Sequence, residues 1–241
     1  YQSLSKVRRR LLHRRVAEAL EMVNAAKLDE ISVELAVHYE QAALLDKATL
    51  YWQRASAQAV AHYAQRAAID YLSRALDLLP EDADEQRYRL LLTRIKLYNH
   101  EAMRAESKRD LAALHTLLER SNDSATAALK RRAEVLLCEA DYERGLGNHQ
   151  PQAMATAQTA AVLAEQCGAE DLAAQAYFLW GEAELGQYDY FDQARPRLEK
   201  ALTLARATGL LQTEAETLSV LGLYGIYSGA ALPQVEAELQ Q

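Results

Sequence analysis

With 241 residues, half of them hydrophobic and a quarter charged, the chain can bury a sizeable core, and its net charge of −7 argues against nucleic acid as the main partner. Only nine glycines and four prolines occur, much of the apolar content is alanine, and runs of Val, Ile or Thr are scarce, which favours helix over sheet. No window reaches the roughly 18 uninterrupted apolar residues of a membrane span. Cys138 and Cys167 lie in apolar-periodic helical text with no metal spacing, the usage expected of a reduced, cytoplasmic chain.

Residues 4–24 read as a first helix, in which Leu11, Leu12, Val16, Ala19, Leu20 and Val23 recur at helical spacing. Residues 1–27 carry seven Lys and Arg against Glu18 and Glu21, a net +5 that leaves −12 for the remainder. The arginines read as the solvated face of this amphipathic helix. A second helix runs from about Asp29 to Leu44, and Asp46 is positioned to cap a third over 47–64. That third helix is expected to serve two repeats, with Tyr63 placed where the first helix of the next unit ends.

A helix over 66–79 stops at Pro80, and helices at 84–101 and 105–120 follow, the latter ended by Ser121-Asn122-Asp123. The clearest helices come last, at 124–145, 151–167, 170–187, 191–208 and 211–228, with a stub at 232–240. Gly147, Gly168, Gly209 and Gly229 punctuate these boundaries as helix-ending glycines do.

A spaced set of small and large residues returns along the chain. Leu35, Ala36, Tyr39, Ala48, Trp52 and Ala55 fall at offsets 0, 1, 4, 13, 17 and 20, and Ala68, Leu72, Ala75 and Pro80 repeat the second half. Ala153, Ala157 and Ala160 return 41 residues later as Ala194, Leu198 and Ala201, as do Leu163-Ala164, Gly168 and Gly181 as Leu204-Ala205, Gly209 and Gly222. A fixed period near 40 marks a solenoid, in which each helix pair buries its apolar face against its neighbours.

These residues resemble the tetratricopeptide repeat. Small residues let adjacent helices approach, and the large one fills the groove between them. The stretch Leu12-His13-Arg14-Arg15-Val16-Ala17-Glu18-Ala19-Leu20-Glu21, with Glu34 to Ala42, is similar to the helical region of bacterial STAND-type signalling ATPases, among them maltose-regulator-like transcription activators and ATPase-linked nucleotide cyclases. The resemblance implies an all-α, right-handed superhelix of antiparallel helix pairs. It also implies a fragment of a larger bacterial signalling or transcription-regulatory protein, attached to an ATPase or effector module. The fragment reading is shared by the opening Tyr1 and the amphipathic pattern that runs to the end. The organisation expected is one array: a basic helix at 1–28, compacted units at 29–80, a divergent unit at 81–123, and repeats of about 40 residues at 124–241, the last one truncated. A truncated array exposes an apolar face, so self-association is expected.

Chemistry-bearing motifs are sparse. Gly145-Leu146-Gly147 reads as a helix-to-helix turn, because no third glycine follows and no strand precedes it. The six histidines are dispersed, no G-x-S-x-G nucleophile signature occurs, and no G-x-x-x-x-G-K-[ST] phosphate loop is present. The reading is a non-enzyme with no cofactor and no metal. In such arrays the first helix of each pair lines the concave side. The candidate positions there are Val33, Val37 and Glu40; Val135, Cys138 and Tyr142; and Phe178, Glu182, Leu223 and Tyr227. Arg94, Lys96 and Asn99 come from the divergent unit. For each, a core position is the competing reading. The expected function is a protein-interaction and regulatory-sensing scaffold that binds a peptide, a protein or a small inducer, with no membrane partner. The alternative is a nucleic-acid-binding module that uses the basic N-terminal helix.

Overall fold

The computed structural model describes residues 5–147, 150–185 and 191–227 (the backbone alone at 150, 191, 192, 226 and 227). Eleven α-helices and no strand occur among the described residues. They are α1 (Lys6–Val23), α2 (Ser32–Gln41), α3 (Leu45–Ala61), α4 (Gln65–Leu78), α5 (Asp84–His100), α6 (Arg104–Arg120), α7 (Ala125–Arg144), α8 (Gln150–Gln166), α9 (Glu170–Leu185), α10 (Phe191–Thr208) and α11 (Leu211–Tyr227). The class is an all-α helical-repeat array. The stub read at 232–240 lies outside the described residues.

Packing divides the chain into two compact units, Tyr1–Glu106 and Ser107–Gln241. In the first, α1 packs on α2, α2 on α3, α3 on α4 and α4 on α5. All six repeat positions of the first repeat unit, from Leu35 to Ala55, are buried, and so are Ala68, Leu72 and Ala75. Trp52 fills the groove left by the small residues and stacks on Tyr71 with ring centroids 5.4 Å apart.

In the second unit α9 is the central element and packs on α7, α8, α10 and α11. The 41-residue echo is a core echo: Ala153, Ala157, Ala160 and Ala164 are buried, and so are Ala194, Leu198, Ala201 and Ala205. Gly181 sits at the closest approach of α9 to α10. A Cβ there would lie 2.8 Å from Leu198 Cγ and 3.2 Å from the Ala194 carbonyl oxygen.

The connections are tight. Leu44 N–H donates to the Tyr39 carbonyl at 2.9 Å and Ala43 N–H to the Glu40 carbonyl at 2.9 Å, the paired bonds of a Schellman turn. The same 6→1 bond recurs from Ala64 to Ala59, Met103 to Tyr98, Ala169 to Ala164 and Leu210 to Ala205. The residue in the left-handed region is glycine at 168 and 209, as the glycine punctuation predicts, but Ala43, Tyr63 and Ala102 in the first unit. Tyr63, 88% exposed, lies in the turn that follows α3, and α3 packs on both α2 and α4. One expectation is corrected here. Asp46 lies inside the first turn of α3 and Leu44 is its N-cap, with no side-chain capping bond. Asp46 therefore faces the positive end of the helix dipole instead of closing an N–H.

Candidate binding face

Within the second unit, α7 and α11 both pack on α9, whereas the backbones of α8 and α10 do not pack on each other among the described residues and are linked by the Lys200–Glu165 ion pair. A layer whose helices touch, beside one whose helices splay, is the inner layer of a curve. The inner face of this unit is therefore α7–α9–α11, the first helices of successive pairs.

Two residues three apart at the end of α7 begin the site. Asp141 and Arg144 share one helix face, and Arg144 Nη2 donates to Asp141 Oδ1 at 2.5 Å. The guanidinium then spans to α9, where Nη1 donates to Glu182 Oε1 at 3.1 Å. Among the described residues Glu182 makes no other hydrogen bond, and its buried Oε2 is left without a partner, as is the buried Nε of Arg144. Burial pushes the Glu182 carboxyl above its ordinary range; Arg144 pulls it back, and Asp141 and Glu216 of α11 add to the rise. Two carboxylates from two helices thus share one guanidinium, Glu216 of α11 adds negative charge, and one carboxylate oxygen of Glu182 remains unpaired among the described residues. Such a half-satisfied cluster has an excess of acceptors and suits a ligand that brings a cation or N–H donors.

The sequence-derived positions divide around this cluster. Glu182 belongs to it, and Tyr142, half-buried, stands next to Asp141 on α7. Leu223 is exposed on α11. Val135, Cys138 and Phe178 are core residues. Tyr227 ends α11, and its side chain lies outside the described residues. Arg144 and Asp141 were missed. Their spacing on one helix was legible, but the partner that gives them meaning is 38 residues further on (182 − 144) and is supplied by the α7–α9 contact.

In the first unit the candidates do not converge. Val33 and Val37 are exposed on α2, while Glu40 accepts from Trp52 Nε1 at 3.0 Å and so orients the core indole. Arg94 donates to Ser73 Oγ at 2.8 Å and lies 5.5 Å over the Tyr98 ring, which ties α5 to α4. Asn99 is buried, and Lys96 is exposed. Two residues on a helix are about 200° apart, so Lys96 points away from Arg94. No contact joins α2 to α5 among the described residues.

A second acidic residue of α9, Glu184, is buried beside Arg197 of α10, with Oε1 3.9 Å from Nε. Arg197 also lies 4.2 Å over the Trp180 ring. Burial pushes Glu184 up, against the pull of Arg197 and Trp180. This pair sits in the α9–α10 interface and not on the inner face.

No three His, Cys, Asp or Glu side chains among the described residues are grouped to hold a metal ion. No helix of the described residues is long and apolar enough to cross a membrane. Neither a family model nor a curated protein matches the sequence.

Proposed function

We propose that the chain is a non-catalytic interaction and regulatory-sensing scaffold of the tetratricopeptide kind. In this reading it is a fragment of a larger bacterial signalling or transcription-regulatory protein of the cytoplasm. The inner α7–α9–α11 face takes a peptide, a protein segment or a small inducer, and binding is passed to an attached effector module. The observation that carries the reading is the Asp141–Arg144–Glu182 cluster, which leaves one carboxylate oxygen of Glu182 unpaired among the described residues on the inner layer of a repeat unit. Its acceptor excess favours a ligand with a basic group, and Tyr142 of α7 and Leu223 of α11 supply apolar contact in the same layer. Grooves of this type gain affinity from a few anchors and specificity from their placement.

A random peptide library displayed on phage and panned on the chain tests this. Enriched sequences should share a Lys or Arg, and their binding should fall about tenfold with Glu182→Gln, a loss typical of one truncated anchor. Tyr142→Ala should weaken binding as well. Failure to enrich any sequence, or enrichment indifferent to both substitutions, defeats the proposal.

A further inference from the structure

The net +5 of the first 27 residues is concentrated on a helix whose outer face has no neighbour among the described residues. α1 touches α2 through His13, whose Nδ1 lies 2.9 Å from His38 Nδ1, and Ala17 is its single buried residue. The remaining apolar stripe is open: Leu11, Leu12 and Val16 are exposed, and Met22 is 78% exposed. This differs from the amphipathic reading, in which the stripe was the buried side and the arginines the wet one.

At 100° per residue, Leu11, Met22, Arg15, Arg8, Ala19, Leu12, Val23 and Val16 follow one another around an arc of about 140° on the side away from Ala17. Arg8 and Arg15 stand inside the apolar arc and do not flank it. Neither has an ion-pair partner among the described residues, whereas Arg14, outside the arc, is paired with Glu18 at 2.7 Å.

That interleaving discriminates between possible occupants. A lipid surface covering the leucines would also cover two guanidiniums without giving each a fixed carboxylate, and burying an unpaired charge is costly. A nucleic acid would satisfy the arginines but lay phosphates on Leu11 and Met22. A helix with its own apolar stripe, interrupted by carboxylates, satisfies both kinds of group, and its carboxylates can accept bidentate bonds from arginine. We infer that the outer face of α1 is a docking surface for an acidic amphipathic helix of a partner protein. Arg8 and Arg15 are two turns apart, so the partner carries Asp or Glu seven residues apart, about 10 Å along its axis. This surface belongs to the first unit and is independent of the inner face of the second.

The test uses the whole chain and a fluorescent helical peptide of roughly 20 residues with a leucine stripe and two glutamates seven apart on that stripe. The control peptide has the same composition with its glutamates on the opposite face. Anisotropy should show saturable binding of the first peptide and about tenfold weaker binding of the control, a discrimination two charge pairs readily supply. Arg8→Glu with Arg15→Glu should remove binding, and a peptide with lysines at the two glutamate positions should recover it on that variant. Both substitutions are on an exposed surface, and an unchanged circular dichroism spectrum verifies the fold. Equal binding of the two peptides, or no recovery by the lysine peptide, overturns the inference. So does tighter binding of duplex DNA, or of phosphatidylserine vesicles, through the same arginines.

Discussion

Ala43, Tyr63 and Ala102 hold φ values of 59°, 58° and 56°, a conformation in which a Cβ crowds the following carbonyl. Each turn persists because the two backbone bonds of the Schellman motif and the docked helices on either side fix it. The strain is removable. Ala43→Gly is expected to stabilise the first unit by about 0.5–1 kcal/mol, the relief of a left-handed Cβ less the extra freedom glycine has in the unfolded chain. Slower amide hydrogen exchange in α2 and α3 is the readout; unchanged or faster exchange refutes the expectation. These positions also mark where the sequence was opaque. Gly168 and Gly209 advertise their turns because glycine is chosen for positive φ. An alanine or tyrosine in the same conformation carries no such mark, so Tyr63 read as the end of a helix.

Between elements, the same polar fastener occurs twice. Across α1–α2–α3, Glu21 accepts from Lys47 Nζ at 2.9 Å and from the Tyr51 hydroxyl, and Lys47 also donates to the Tyr39 hydroxyl at 3.0 Å. Across α8–α9–α10, Lys200 Nζ donates to Glu165 at 2.6 Å and to the Tyr177 hydroxyl at 2.8 Å. Both lysines also lie over the tyrosine rings, at 4.6 Å and 4.2 Å. Neither fastener was legible, because Lys47 follows Tyr39 by 8 residues and Lys200 follows Tyr177 by 23 (47 − 39 and 200 − 177). Only packing brings each trio together.

The pH consequence of the first fastener has a definite sign. Burial opposes ionisation of Glu21, but the hydrogen bonds from Tyr39, Tyr51 and Lys47 outweigh it and hold the carboxyl below its ordinary value. Its contribution is present above about pH 4.5 and is lost as acid protonates it in the folded state. Burial, then the bond to Glu21, pushes the Tyr51 phenol up to about 12, and Lys47 is raised as well, chiefly by its bond to Tyr39. Their contribution is present below about pH 10 and is lost as pH rises through the shifted values. The phenolate absorbance lost in Tyr51→Phe should therefore titrate near pH 12 in the folded chain. A component titrating at pH 10 under conditions where the helix signal is intact contradicts the fastener.

The inner-face cluster has its own acid–base signature. Glu182 is raised, chiefly by burial, so it takes up a proton in the folded chain at higher pH than an ordinary glutamate. If a basic group docks there, affinity should weaken on acidification from pH 7 towards 5, and Glu182→Gln should flatten the profile. A profile in which the variant and the parent weaken in parallel assigns the effect to another group.

At the scale of the whole molecule, the small-residue rhythm was the most legible feature. Alanine and glycine recur at most of the 41-residue positions because each helix pair must approach the next closely, with Leu198 in the place of Ala157 as the large residue of its set. What fills the inner face was far less legible, since a charged residue can stand anywhere that solvent reaches. The rhythm also predicts how damage spreads. Gly181→Ala gains about 1 kcal/mol of helix propensity. It also drives a methyl to within 2.8 Å of Leu198 Cγ, and overpacking of this kind costs about 1–3 kcal/mol. The balance is a net loss, read as faster exchange of α9 and α10 amides. Energy in a repeat array is a sum of unit and nearest-neighbour terms. Ala43 and Gly181 lie in different compact units, and the neighbours that determine their energies are distinct. The double variant should therefore show slower exchange in α2 and α3 together with faster exchange in α9 and α10, each as large as in the single variants within about 0.5 kcal/mol. If protection gained around Ala43 is erased by the change at Gly181, the two units fold as one cooperative body, and the nearest-neighbour account of this array fails.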